Sequence, residues 1–161
     1  MKKAFTLVEI LVYITLLVVI LLIVGSFVFW FIRSNNESKI SREALSNAKR
    51  VLFAITSEVK EAESVYDPTT SSEQLSLETK KYLPEGEKRS FIDFYLCGNS
   101  VCMKKEGRDP FALTSESVEV TDLSFVKIVS GESVSVKINL TVNCQDSASV
   151  SLTSSASLRS Y

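Results

Sequence analysis

Between Ile10 and Ile32 the chain runs for 23 residues without a charge, and only Thr15, Gly25 and Ser26 interrupt its apolar and aromatic character. At ~1.5 Å rise per residue a helix of that length crosses a ~30 Å hydrocarbon core. No proline occurs before Pro68, and Gly25-Ser26 is the one weak point in the run. Polar Ser34-Asn35-Asn36 marks the exit from lipid. The pattern then narrows without breaking. Leu45, Ala48, Leu52, Ile55, Val59, Ala62 and Tyr66 recur at alternating spacings of three and four, with Lys49, Arg50, Ser57, Glu58, Lys60 and Glu61 on the other side. That is a helix with one apolar stripe. A single helix from Phe5 to about Tyr66, ~90 Å long, is therefore expected, ending at Asp67-Pro68.

Residues 67–89 read as a polar connecting loop, tacked down by Leu75, Leu77, Tyr82 and Leu83. Beyond it the period changes from 3.6 to 2. Ile92, Phe94 and Leu96 alternate with Asp93, Tyr95 and Cys97, and Val101 and Met103 return opposite them after Gly98-Asn99-Ser100, a β-hairpin pattern. Val134, Val136, Ile138, Leu140 and Val142 alternate with polar residues, as do Ala148, Val150, Leu152, Ala156 and Leu158. Between Val118 and Phe125 the phase slips, which a bulge near Thr121-Asp122 reconciles. The expected fold class is α+β: a long N-terminal helix packed on an antiparallel sheet of four to five strands.

The formal charge is −1, with 18 basic and 19 acidic residues. The basic runs Lys88-Arg89 and Lys104-Lys105 sit beside acids, so no nucleic-acid partner is expected. The chain has no histidine, which removes the commonest general base and every Ser/His/Asp or Cys/His constellation. No phosphate-binding glycine loop occurs. The expectation is a non-enzyme without cofactor or metal; Asp93, Glu106, Asp109 and Asp122 could supply a carboxylate pair or calcium ligands, but scattered loop acids read as surface residues and are assigned no role. Cys97 and Cys102 flank the hairpin turn on one face, as directly opposed residues that a disulfide can join. Zinc would need four soft ligands. Cys144 is left over, either a free buried thiol or an alternative partner for one of the other two.

One acid changes the picture. Glu9 stands at the mouth of the apolar run, and an ionisable residue inside a membrane segment marks a functional site by default. A secretory signal peptide has an apolar core of only ~7–15 residues, and a plain anchor gives Glu9 no task. Lys2-Lys3-Ala4-Phe5-Thr6-Leu7-Val8-Glu9, followed by the apolar helix, resembles the type IV pilin and pseudopilin family. The resemblance covers about the first thirty residues and is architectural beyond them.

It implies a basic leader, residues 1–4, cut between Ala4 and Phe5 by a prepilin peptidase, with Phe5 then methylated at its new amine. It also implies that Glu9 orients the subunit during assembly, meeting the Phe5 amine of a neighbour. The implied organisation is a filament-core and transmembrane helix over 5–32, its amphipathic continuation over 33–66, a variable connection over 67–89 and a sheet region over 90–161. The implied partners are other pilin subunits, the prepilin peptidase, the inner-membrane assembly platform, and membrane lipid before assembly. The implied location is the cytoplasmic membrane, with Lys2 and Lys3 holding the N-terminus in the cytosol and the head outside, then an extracellular or periplasmic filament. Ala4 stands where the family usually has glycine, and the helix lacks the proline of many major pilins, which points to a minor pilin or pseudopilin. The alternative is a single-pass membrane-anchored extracytoplasmic binding domain that does not polymerise.

Overall fold

Both apolar patterns fall on one helix, α1 (Leu7–Glu61). The protein is seen here as a computed structural model that describes residues 7–81, 83, 86–131, 133–144 and 148–159, with the backbone alone at 36–38 and 148. Two compact units are present, Met1–Lys39 and Ile40–Tyr161.

In the first unit every described side chain from Leu7 to Asn35 is exposed. The helix is long and apolar enough to cross a membrane. Its two hydroxyls are satisfied within the helix. Thr15 Oγ1 donates to the carbonyls of Leu11 (3.1 Å) and Val12 (2.8 Å), and Ser26 Oγ donates to that of Leu22 (2.8 Å). Such back-bonding leaves no hydroxyl for lipid to solvate. The helix continues through Gly25 without interruption.

In the second unit the helix buries one side only. Ala44, Ala48, Val51, Ile55 and Val59 are fully buried, and Leu52 nearly so. They share one core with residues of two antiparallel sheets. The first sheet has the order β1 (Ser64–Val65), β2 (Gln74–Thr79), β3 (Ser90–Cys97), β4 (Ser100–Lys105), β5 (Phe111–Ala112). It contributes Leu75, Leu77, Ile92, Phe94, Val101 and Met103. The second is the meander β6 (Glu119–Ser130), β7 (Ser133–Cys144), β8 (Ala148–Ser157). It contributes Leu123, Phe125, Val136, Ile138, Leu140, Val142 and Ala156.

The α+β class is as expected, but three local expectations change. The helix stops at Glu61, not near Tyr66. The Glu63 amide donates to the Glu78 carbonyl (2.8 Å) and the Tyr66 amide to that of Ser76 (2.9 Å), so Val65 and Tyr66 belong to the sheet's edge. The 67–89 segment is not loop throughout. Leu75 and Leu77 are buried in β2, paired in register with Phe94 and Ile92; six residues between turn-rich flanks gave too short a period-2 signal. Tyr82 lies outside the described residues, and Leu83 is exposed, so it does not tack the segment to the core.

The strands, moreover, form two sheets instead of one. β6 pairs only with β7, while its Val120 amide donates to Asn99 (2.8 Å) and its Phe125 amide to Ser72 (2.9 Å). Carbonyls from turns at the ends of the first sheet thus occupy part of the β6 edge. The anticipated bulge is present: the β6–β7 register shifts between Val120 and Asp122, which keeps Val120 and Leu123 both buried.

Phe94 is fully buried between Leu75 and Met103 of the flanking strands, whereas Phe53, on the helix face turned away from the core, is 75% exposed. Phe94→Ala should cost the head about 3–5 kcal/mol, and Phe53→Ala no more than ~0.5 kcal/mol. Pulse proteolysis of the full chain in a urea series checks both. Equal losses at the two sites would show that the helix face is wrongly assigned.

Candidate functional site

Glu9 lies in the first turn of α1. The amide N–H groups at a helix start lack intrahelical partners and favour a carboxylate. It is also the single Asp, Glu, Lys or Arg from Leu7 through Ile32. The expected cleavage and methylation residues, Ala4 and Phe5, lie outside the described residues.

The structure brings Cys97 and Cys102 together. They form a disulfide across the β3–β4 hairpin with a Cα–Cα distance of 5.8 Å. The pairing is diagonal and not directly opposed: Cys97 faces Ser100, and Cys102 faces Tyr95. The reason is the turn. Gly98, at φ +62°, and Asn99 make a two-residue connection that sets Cys97 opposite Ser100. Positions two apart along the partner strand share a face, so the cysteines still meet.

Cys144 closes β7 as a buried free thiol. It donates to the Ser117 carbonyl at 3.3 Å. Burial pushes its pKa up, and the negative charge of Glu43 adds to that.

The acids read from sequence as surface residues do not all stay apart. Asp93 and Glu106 line one cleft of about 310 Å³ with Tyr66, Thr69, Phe91 and Lys104. The rings of Tyr66 and Phe91 meet in a tilted pair, 54° between planes, with centroids 4.7 Å apart. The hydroxyl of buried Ser76 donates to Asp93 (2.6 Å), and the Phe91 amide donates to Glu106 (3.1 Å). Asp109 and Asp122 are exposed and do not line this cleft. Among the described residues no group of acids and cysteines has the arrangement of a metal site.

Ion pairs across the head were not legible in the sequence. Lys105, on the inner face of the first sheet, reaches Glu58 of α1 at 3.3 Å, with both side chains under 15% exposed. Glu61 pairs with Lys81, and Glu43 accepts a hydrogen bond from Ser117. Lys127 of β6 holds both oxygens of Asp67, at 2.6 and 2.8 Å. A period of 3.6 showed which helix positions are polar, but not which of them turn toward a strand some forty residues later.

No protein-family model, curated protein or solved structure matches the chain.

Peptide mapping without reduction should recover Cys97 joined to Cys102, with Cys144 alkylated only after unfolding, because a buried thiol of raised pKa presents little thiolate. A link from Cys144 to either hairpin cysteine in folded protein would contradict this. Cys144 also carries a pH dependence. Below the ordinary thiol pKa both folded and unfolded chains hold the proton. Above it the unfolded chain loses its proton first, so the head should lose stability as pH rises through that range. In Cys144→Ala this component of the alkaline loss should be gone, measured by proteolysis in urea across pH.

Proposed function

We propose that the chain is a type IV pilin-like structural subunit, a minor pilin or pseudopilin, that joins a filament through its apolar N-terminal helix. The observation that carries this reading is a carboxylate, Glu9, in the first turn of a helix whose following run, Ile10 to Ile32, is uncharged and of membrane length. A charge within the hydrocarbon costs up to ~2.5–3.5 kcal/mol at the bilayer centre and less toward the interface. Cleavage after Ala4 would create a cationic amine at Phe5, four residues from Glu9 in sequence. On a neighbouring subunit that amine compensates Glu9 in one axial register and not in others. As with other buried pairs, its contribution is the choice of register more than net stability.

The head would then face outward on a helix whose apolar half leaves the bilayer for the filament core. A prepilin peptidase and an inner-membrane assembly platform are the enzymes and machinery such a subunit needs. The work is structural, without a catalytic step. A second reading, an anchored binding domain that never polymerises, draws on the cleft at Tyr66, Phe91, Asp93 and Glu106. The two part at the mature N-terminus, since polymerisation alone calls for leader removal.

In cells carrying the native peptidase, mass spectrometry should find a mature chain beginning at methylated Phe5. Intact Met1 or Lys2 on filament-associated protein would reject the proposal. Ala4→Gly should preserve or speed the cut, and a bulky charged residue there should block it. Glu9→Leu should leave insertion and cleavage intact yet lower the amount recovered in sheared filaments, with Glu9→Asp intermediate. Wild-type recovery of Glu9→Leu would favour the anchor reading.

A further inference from the structure

Between Ile40 and Glu61 the helix carries three acids and four bases, and the fold separates them by sign. All three acids are engaged by the head: Glu43 by Ser117, Glu58 by Lys105 and Glu61 by Lys81. The four bases, Arg42, Lys49, Arg50 and Lys60, are exposed and form no ion pair among the described residues. Arg50 is held by the Asn47 side chain at 3.0 Å. Arg42, Lys49, Phe53 and Lys60 are spaced seven, four and seven residues apart, which puts them on one helical face. The face runs ~27 Å from Arg42 to Lys60, with Phe53 exposed at its middle. A cationic strip around a bare aromatic ring, with the acids of its own helix segment turned to the head, is a docking surface without an ion-pair partner among the described residues.

The chain itself supplies the complementary charge. Residues 62–161 hold 14 acids against 10 bases. Glu116, Glu119 and Asp122, at the entry to β6, are all exposed and form no ion pair among the described residues. We infer that the Arg42–Lys49–Phe53–Lys60 face of one copy docks on the Glu116–Glu119–Asp122 surface of the next. Two different patches meet, so the contact is heterologous, and such contacts propagate into rings or open helical filaments instead of closing as dimers. The inference rests on the filament reading and adds to it a head-to-head contact outside the membrane, independent of Glu9. The opposed potentials steer encounter and select one neighbour geometry.

Isotopically heavy and light full-length copies, co-expressed and treated in membranes and sheared filaments with a zero-length carbodiimide, test the contact directly. Mixed-isotope cross-links from Lys49 or Lys60 to Glu116, Glu119 or Asp122 are expected; their absence from both fractions overturns the inference. Arg42→Glu/Lys49→Glu/Lys60→Glu should lower filament incorporation about tenfold, with leader cleavage, membrane level and the Cys97–Cys102 disulfide unchanged. Adding Glu116→Lys/Glu119→Lys/Asp122→Lys to the same chain should restore it, because every contact is then reversed together. Assembly of the first variant at wild-type level, or failure of the second set to restore it, overturns the docking. Binding of the wild-type face to phosphatidylglycerol vesicles, with no restoration by the acid reversals, would assign the face to lipid instead. An uncleaved wild-type chain would reject the filament reading, while the cross-links would still decide the contact between copies.

Discussion

The head depends on the narrow stripe that α1 buries between Ala44 and Val59. Ala44 and Ala48 have almost no side chain to hold a strand away, while Val51, Ile55 and Val59 supply branched bulk; all five are fully buried. Two sheets that do not pair with each other share that stripe as part of one core. A second apolar side would leave the helix free to roll. A single stripe gives it one rotation, and every polar residue on it then has a determined direction.

The Lys105–Glu58 pair shows the consequence. Lys105 stands opposite Ile92, on the core side of the first sheet, where a lone ammonium would be costly. Glu58 meets it from the helix at 3.3 Å. Desolvation of two charges offsets much of their attraction, so a pair like this acts more on which arrangement forms than on how stable it is. Here it ties the last turns of the helix to the end of β4, beside the apolar stripe that presses the same elements together.

The first unit obeys the opposite rule. Exposed apolar side chains all round the helix are a cost in water and none in lipid, where backbone polar groups must be satisfied internally. Thr15 and Ser26 meet that rule by returning their hydroxyls to carbonyls of the preceding turn. Glu9 differs from them in chemistry, because a carboxylate accepts and does not donate. In so uniform a segment one anion stands out chemically, and for that reason the functional reading begins there.

Periodicity alone determined the long helix, its change from all-round to one-sided apolarity, the β3–β4 hairpin, the β6 bulge and the β7 strand, because each is a local repeat long enough to read. Glu9 was legible for the same reason, as a break in a uniform run. Tertiary structure decided what local pattern leaves open. Backbone bonds from Glu63 and Tyr66 to β2 draw Val65 and Tyr66 out of the helical phase they share with Val59 and Ala62. Turn carbonyls at Ser72 and Asn99 occupy part of the β6 edge, leaving two sheets in place of one. A two-residue turn makes the cysteine pair diagonal. Finally, Glu43, Glu58 and Glu61 are drawn to the head while Arg42, Lys49 and Lys60 are left outside. Most of these outcomes join residues far apart in sequence, up to 74 for Glu43 and Ser117, beyond the reach of a local repeat; the cysteine pair, only five apart, depends instead on the register that the turn sets.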